Sequence, residues 1–210
     1  AETVKLALDA GAKEVRVFDH TCNAARRCYD NSGIEKAAKE AGAEVSYVVD
    51  RFFRSVKIED GLALNEWEFY RPALEADKYI NIPILKHHGL SGVTIGMKNI
   101  MGVIGGRRGK IHENFSRKIV DLNTVIRPDL IIVDATRILL RNGPTGGSLG
   151  DVKEMQTVIA GTDPVAVDAA SAVLFGISPE QLAYLKFAEE KGLGKIANAD
   201  AVTVVDLEKS

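Results

Sequence analysis

Cysteine is scarce in this sequence, and it has neither an excess of basic residues nor a long apolar run. Two cysteines among 210 residues are too few for the four thiolates of an iron–sulfur cluster, so we expect none within this chain. The 27 Lys and Arg residues do not outnumber the 29 Asp and Glu residues, which argues against a nucleic-acid partner. No apolar run approaches the roughly 20 residues that span a bilayer, and no signal-peptide pattern opens the chain. We therefore expect no membrane partner and a cytoplasmic location.

The bulk composition is that of an ordinary globular protein. Hydrophobic residues make up 46% of the chain and charged residues 27%, and 210 residues suffice for one domain. We therefore predict a single α/β domain over residues 1–210. A helical pattern over Ala1–Ala10 precedes the strand Val15–Phe18. A helix at the start of an α/β domain normally packs on a strand that precedes it. We therefore expect this chain to be a fragment that lacks an upstream strand.

The periodicity predicts alternating strands and helices. A strand at Val15–Phe18, a helix from Asn31 or Ser32 through Ala41 and a strand at Glu44–Asp50 form a βαβ unit, which predicts parallel pairing. Further strands are predicted at Tyr79–Leu85 and Leu130–Ala135, and helices at Leu64–Leu74, Ser91–Ile104 and Pro164–Phe175, the last with Asp163 as its N-cap. The fold class predicted from this order is a mostly parallel sheet with helices on both faces, a three-layer sandwich.

The stretch from Lys86 to His112 is rich in side chains that bind ligands or transfer protons. It holds three of the four histidines, five basic side chains and seven glycines, and it follows an apolar strand. Ligands of open α/β sheets bind at the carboxyl ends of strands. Lys86 and Lys98 are the predicted anchors of a small anionic ligand, helped by Thr94 and Asn99. The alternative for Lys98 is a solvated side chain on an exposed helix face.

The histidines and two aspartates form the predicted catalytic set. His87 and His88 are adjacent on a strand, so only one of them faces the site. We assign proton transfer to His88 and His112. Asp134, at the predicted end of its strand, and Asp168 would orient them. A metal held by the two histidines and a carboxylate is the alternative, but no metal ligand is assigned.

Two further features stay open at this stage. The stretch Arg141–Gly150 is a glycine-rich loop, and we assign Gly143 and Gly146 to the ligand-binding surface. Cys22 and Cys28 lie in a loop beside two arginines. They are predicted to be free thiols, with a disulfide, a reactive pair and a cluster shared across a dimer as alternatives.

The combination of these residues resembles the family called domain of unknown function 362. The residues that carry the resemblance are Lys86-x-His88, Thr94, Lys98-Asn99, Gly102, His112, Asp134, Gly143-Pro144-x-Gly146, Asp163-Pro164-x-Ala166-x-Asp168 and Gly192-Leu193-Gly194. Members of that family are often fused to ferredoxin-like domains that bind 4Fe–4S clusters, so the resemblance implies a redox setting. This sequence departs from the family pattern, because it lacks the ferredoxin-type cysteines and the upstream strand with Lys-Pro-Asn.

Three functions are compatible with these observations. The first is an enzyme domain of a redox pathway that binds a small anionic metabolite or cofactor of unknown identity in a cleft at the strand ends. The second is a non-catalytic module that docks a ferredoxin-like domain or protein. The third is a metal-binding protein built on His88, His112 and a carboxylate. The sequence leaves the oligomeric state open.

Overall fold

The computed structural model describes residues 1–208 and consists of mixed helices and strands, which confirms the predicted α/β class. The strands are β1 (Arg16–Val17), β2 (Glu44–Val45), β3 (Phe53–Lys57), β4 (Glu66–Tyr70), β5 (Ile80–Asn81), β6 (Ile84–His88), β7 (Gly92–Thr94), β8 (Leu130–Leu139), β9 (Val152–Gly161) and β10 (Val202–Asp206). The helices are α1 (Glu2–Asp9), α2 (Ala25–Ser32), α3 (Ile34–Glu40), α4 (Arg71–Glu75), α5 (Gly96–Asn99), α6 (Phe115–Val125), α7 (Pro164–Phe175) and α8 (Ala183–Glu190).

The main sheet is mixed, so the prediction of a mostly parallel sheet is wrong. Its strand order is β10-β9-β8-β6-β7, with β5 also beside β8. Only β5 and β6 run parallel to β8, whereas β7, β9 and β10 pair antiparallel with their neighbours. The physical reason is the connections. Three residues join β6 to β7, too few for the crossover of a dozen or more residues that parallel pairing requires. Residues 140–151 between β8 and β9 form a loop with one short 3-10 helix instead of a crossover α-helix.

The core lies on one face of this sheet. Along β8 the side chains of Ile131, Val133 and Ala135 are fully buried and alternate with half-buried ones. Helices α5 and α7 pack against this buried face. A helical layer on the opposite face, where Ile84 is 47% exposed, stays a prediction.

The local signals that were strongest in sequence are confirmed. Strands β1 and β2 pair in parallel, with α2 and α3 between them, as a βαβ unit requires. Helix α7 has the predicted bounds, and the carboxylate of Asp163 caps it by accepting the backbone N–H groups of Val165 and Ala166.

Two predicted helices are wrong or shortened. The segment Leu64–Leu74 contains β4, because the alternation around Trp67 and Phe69 pairs with β3 and leaves only α4 after it. The segment Ser91–Ile104 starts as β7 and becomes helical only at Gly96. The hairpin pairing of β7 with β6 overrides the helical spacing of its apolar residues.

Candidate functional site

The hairpin of β6 and β7 brings three of the predicted residues to one side. Lys86 lies directly opposite Thr94 in the antiparallel ladder, so the two side chains leave the sheet on the same side. His88, two residues beyond Lys86, shares that side. His87 points the other way, where its Nδ1 accepts the backbone N–H of Gly143 at 3.1 Å. One histidine of the adjacent pair therefore belongs to the site.

Lys98 is a buried cation without a carboxylate partner. Its residue is only 7% exposed, and its Nζ lies 3.7 Å from the sulfur of Met101 and 5.8 Å from the centre of the Phe115 ring. No Asp or Glu among residues 1–208 forms an ion pair with it. Burial, together with the charge of nearby Lys86, lowers the pKa of Lys98 to about 8.

The rings of His88, His112 and Phe115 stack in a column beside this lysine. The first two rings lie 5.2 Å apart at 11°, and the second pair 6.1 Å apart at 18°. Burial lowers the pKa of His88 to about 4 and also lowers the pKa of His112. Both imidazoles are therefore neutral at pH 7.

The two neutral imidazoles differ in which ring nitrogen carries the proton. The Nδ1 of His88 accepts the backbone N–H of Leu90 at 3.2 Å, which puts the ring proton on Nε2. The Nδ1 of His112 lies 3.3 Å from the carbonyl of Gly109 and therefore donates. Its Nε2 is a buried lone pair with no hydrogen-bond partner in the described chain. One ring can donate a proton and the other can accept one.

The loop after β1 closes the site from another direction. The guanidinium of Arg108 donates to the carbonyls of His20 at 2.5 Å, Thr21 at 2.9 Å and Met101 at 3.1 Å. These bonds fasten the loop onto the turn that carries the Met101 sulfur. Cys22 follows directly and is exposed. A negative charge at its thiol would raise the pKa of both Lys86 and Lys98, so the thiol lies near both ammonium groups.

Asp19, at the start of this loop, is the acidic member of the cluster. Burial raises the pKa of its carboxyl, against the lowering effects of Arg108 and Lys86. The carboxylate packs on the backbone at Gly102, where a Cβ would overlap its oxygen. The sequence prediction missed Asp19 and Arg108, although Asp19 follows the strand Val15–Phe18 at its carboxyl end. The rule that selected Lys86 would have found it.

Asp134 is held by a local contact within its strand. It lies in β8 opposite Ile84, and its carboxylate accepts the backbone N–H and the hydroxyl of Thr136. The prediction that the strand ends at Asp134 is wrong, because pairing with β9 extends it to Leu139. The role of Asp134 in the cleft stays a prediction.

Asp168 lies behind the helix that carries Lys98. Its fully buried carboxylate accepts the backbone N–H of Met97 at 3.2 Å and the hydroxyl of Tyr184 at 2.9 Å. Burial raises the pKa of Asp168 to about 7. From this position it holds α5 in place and has no direct path to a ligand.

The remaining predicted ligand residues make structural contacts. The side-chain amide of Asn99 donates to Asn81 at 2.8 Å. Gly143 approaches the backbone of His87 so closely that no Cβ would fit, and it accepts the N–H of Gly89 at 3.1 Å. Gly146, with φ +117°, serves the turn of the same loop. Their assigned roles in ligand binding stay predictions.

One pocket reaches an aromatic ring of the cluster. A pocket of about 260 Å³ reaches Phe115 and Tyr184 from the side of Leu90, but Lys98 does not line it. In the described part of the chain, no three His, Cys, Asp or Glu side chains converge in a way that could hold a metal ion. Within residues 1–208, no helix has both the length and the apolar character needed to cross a membrane.

The comparisons with known proteins agree with the resemblance noted in the sequence. The chain is similar to Thylakoid-associated protein sll1697 of Synechocystis sp., at 29% identity over 146 residues. The match covers 66% of this chain and 44% of that protein, so the chain spans less than half the length of this relative. Residues 1–173 match the family described as Domain of unknown function (DUF362). The chain belongs to this family.

Proposed function

We propose that the chain binds a small anionic ligand between Lys86 and Lys98. The observation that carries this proposal is the burial of Lys98, which is 7% exposed and has an ammonium that pairs with no carboxylate of residues 1–208. An isolated buried charge is costly, and buried cations are normally paired. Uncompensated cations are concentrated at functional sites, where the ligand supplies the missing charge.

Neighbouring groups extend the proposal from binding to chemistry. Lys86 is a second cation on the same side as His88, and neither imidazole adds a charge at pH 7. The free Nε2 of His112 can take a proton from a bound ligand, and the Nε2–H of His88 can give one. The redox setting, a ferredoxin-like partner and a cytoplasmic location remain predictions, the first two implied by the family resemblance and the third by composition.

The decisive comparison is between Lys98→Met and Lys110→Met. Lys110 is exposed and pairs with Glu113 at 2.7 Å. The Lys110→Met variant therefore removes the same charge as Lys98→Met, but from an exposed position. Melting temperatures would be measured at pH 7 and low salt with inorganic phosphate, AMP and citrate, followed by calorimetry on any anion that raises them. Loss of a charge-assisted contact worth about 1.5–3 kcal/mol predicts binding roughly tenfold to a hundredfold weaker for Lys98→Met.

The stability of the same variants supplies the control. Burial disfavours the charged form of Lys98, so Lys98→Met should melt at the same temperature as the wild type or higher. Equal loss of affinity in both variants would show a diffuse electrostatic effect and would refute the proposal. So would a panel in which none of the three anions shifts the wild-type melting temperature.

A further inference from the structure

Thr94 carries an unused hydroxyl in the same cluster. Its residue is 5% exposed, and Oγ1 has no hydrogen-bond partner among the described residues. A buried hydroxyl without a hydrogen-bond partner destabilises the folded protein, so such groups call for an explanation. Because Thr94 is paired with Lys86 across the ladder, its side chain leaves the sheet on the same side as that of Lys86.

The charges around this group are unbalanced. Lys86 and Lys98 contribute two positive charges and Arg108 a third, although its guanidinium is committed to backbone carbonyls. Asp19 contributes a negative charge, because its carboxylate interacts with both Arg108 and Lys86. Three cationic side chains and one carboxylate give these four groups a net charge near +2 when all are ionised. One doubly charged anion neutralises it.

The geometry points to a phosphoryl group. We propose that Lys86, Lys98 and Thr94 bind a dianionic phosphate, as the inorganic ion or as a monoester, in preference to a carboxylate. This rests on the proposed anion site and names its ligand class. Phosphate offers several acceptor oxygens and two charges on one centre. A monocarboxylate brings one charge, and a dicarboxylate spreads its two charges over separate groups.

Calorimetry with matched anions tests the ligand class. The pairs are phenyl phosphate against benzoate and inorganic phosphate against acetate, with malonate as the dicarboxylate, all at pH 7.5 and low salt. We expect each phosphate to bind at least about tenfold more tightly than its partner and than malonate, because one extra charge-assisted contact has this size. Phenyl phosphate binding better than inorganic phosphate would indicate an ester as the ligand, and the reverse would indicate the free ion.

Thr94→Val is the specific variant, with Thr157→Val as its matched control. Thr157 is also a buried strand residue, 6% exposed, but its hydroxyl already donates to the carbonyl of Met155 at 2.6 Å. We expect Thr94→Val to bind phosphate about tenfold more weakly without a fall in melting temperature. Thr157→Val should lower the melting temperature and leave phosphate affinity unchanged. The opposite pattern would overturn the role of Thr94.

The dependence of phosphate affinity on pH is a second test of the phosphate site. The titratable or charged groups that face the site are Asp19 and Cys22 from the loop after β1, Lys86 and His88 from β6, and Arg108 and His112 from the turn before α6. Lys98 must be protonated to bind, so phosphate affinity should fall above its pKa of about 8. A phosphate monoester gains its second charge near pH 6. Phenyl phosphate affinity should therefore peak between these limits, whereas benzoate affinity should show no rise near pH 6.

The rate at which Cys22 is alkylated tests where phosphate binds. Iodoacetamide alkylates a thiolate by forming an S–C bond with loss of iodide, and mass spectrometry separates Cys22 from half-buried Cys28. Saturating phosphate should slow alkylation of Cys22 by about tenfold or more, as expected when the site is mostly occupied, and leave Cys28 unchanged. Phosphate that binds without protecting Cys22 would overturn the assignment.

The outcomes separate this inference from the proposed function. Citrate or benzoate binding that depends on Lys98, with phosphate no tighter, would refute the phosphoryl assignment and leave the anion site standing. Binding of every anion without dependence on Lys98 would refute both.

Discussion

Replacement of Asp168 by Asn should change how the stability of the protein depends on pH. The carboxyl group of Asp168 is fully buried, and burial raises its pKa from 3.8 to about 7. An acid whose folded pKa is raised keeps its proton in the folded state after the unfolded chain has lost it. Its contribution to stability is therefore full below pH 4 and is lost as the pH rises towards 7. Asn cannot titrate, so Asp168→Asn removes this dependence.

The size of the effect follows from the shift. Each pH unit between the two pKa values lowers the free energy of unfolding of the wild type by about 1.4 kcal/mol. From pH 5 to pH 7 the loss is about 2 kcal/mol, and above pH 7.5 the curve is flat. The cost of Asp168→Asn, measured against the wild type at the same pH, should shrink by about that amount between pH 5 and pH 7.5. His88 and His112 titrate in both proteins, so their contributions cancel.

Urea unfolding at pH 5, 6, 7 and 7.5 provides the assay, with the midpoint and slope fitted at each pH. Tyr184→Phe is the companion variant, because the Tyr184 hydroxyl lowers the pKa of Asp168 by donating to the carboxylate. Without it, the fall in stability should extend to higher pH than in the wild type. Parallel curves of free energy against pH for the wild type and Asp168→Asn would refute the assignment of a raised pKa and with it this reasoning.

Two further substitutions test the contacts of the Asp19 and Asp121 carboxylates. Gly102→Ala places a methyl group against the Asp19 carboxylate and should lower the free energy of unfolding by about 1–3 kcal/mol. Gly109→Ala, whose new Cβ would meet no atom within 4 Å, should change it little in the same urea titration. The carboxylate of fully buried Asp121 accepts three backbone N–H groups at 2.7–2.9 Å. Asp121→Asn should cost about 3 kcal/mol by thermal unfolding, and a loss below 0.5 kcal/mol, the size of a change at an ordinary surface position, would contradict the role assigned to these bonds.

Local signals in the sequence were sufficient for some of the fold and part of the site. Asp163 before Pro164 fixed the start of α7, since capping depends on adjacent residues. The strand end at Lys86 located Thr94, Lys98 and the two histidines of the column, which the structure brings together. These predictions depended on short-range chemistry, which a sequence displays directly.

The failures involve partners distant in sequence. Strand β8 continues past Asp134 because β9 is available to pair with it, and nothing near Asp134 shows this. Asp168 faces the backbone of Met97, 71 residues away, so its position behind α5 became visible only in the fold. Asp19 enters the site because Arg108 fastens its loop to a turn more than 80 residues later.

The helix that carries Lys98 is four residues long and too short to be stable alone. Its shape is imposed from outside: Asp168 accepts the N–H of Met97, while the amides of Asn81 and Asn123 donate to the carbonyls of Gly96 and Met97. The entropy of fixing the lysine backbone is thus lost when the protein folds, so the proposed anion would bind a lysine that is already held in place. Loss of any one of these amide or carboxylate contacts should loosen the lysine and weaken the proposed anion binding, although none of the three side chains need touch the anion.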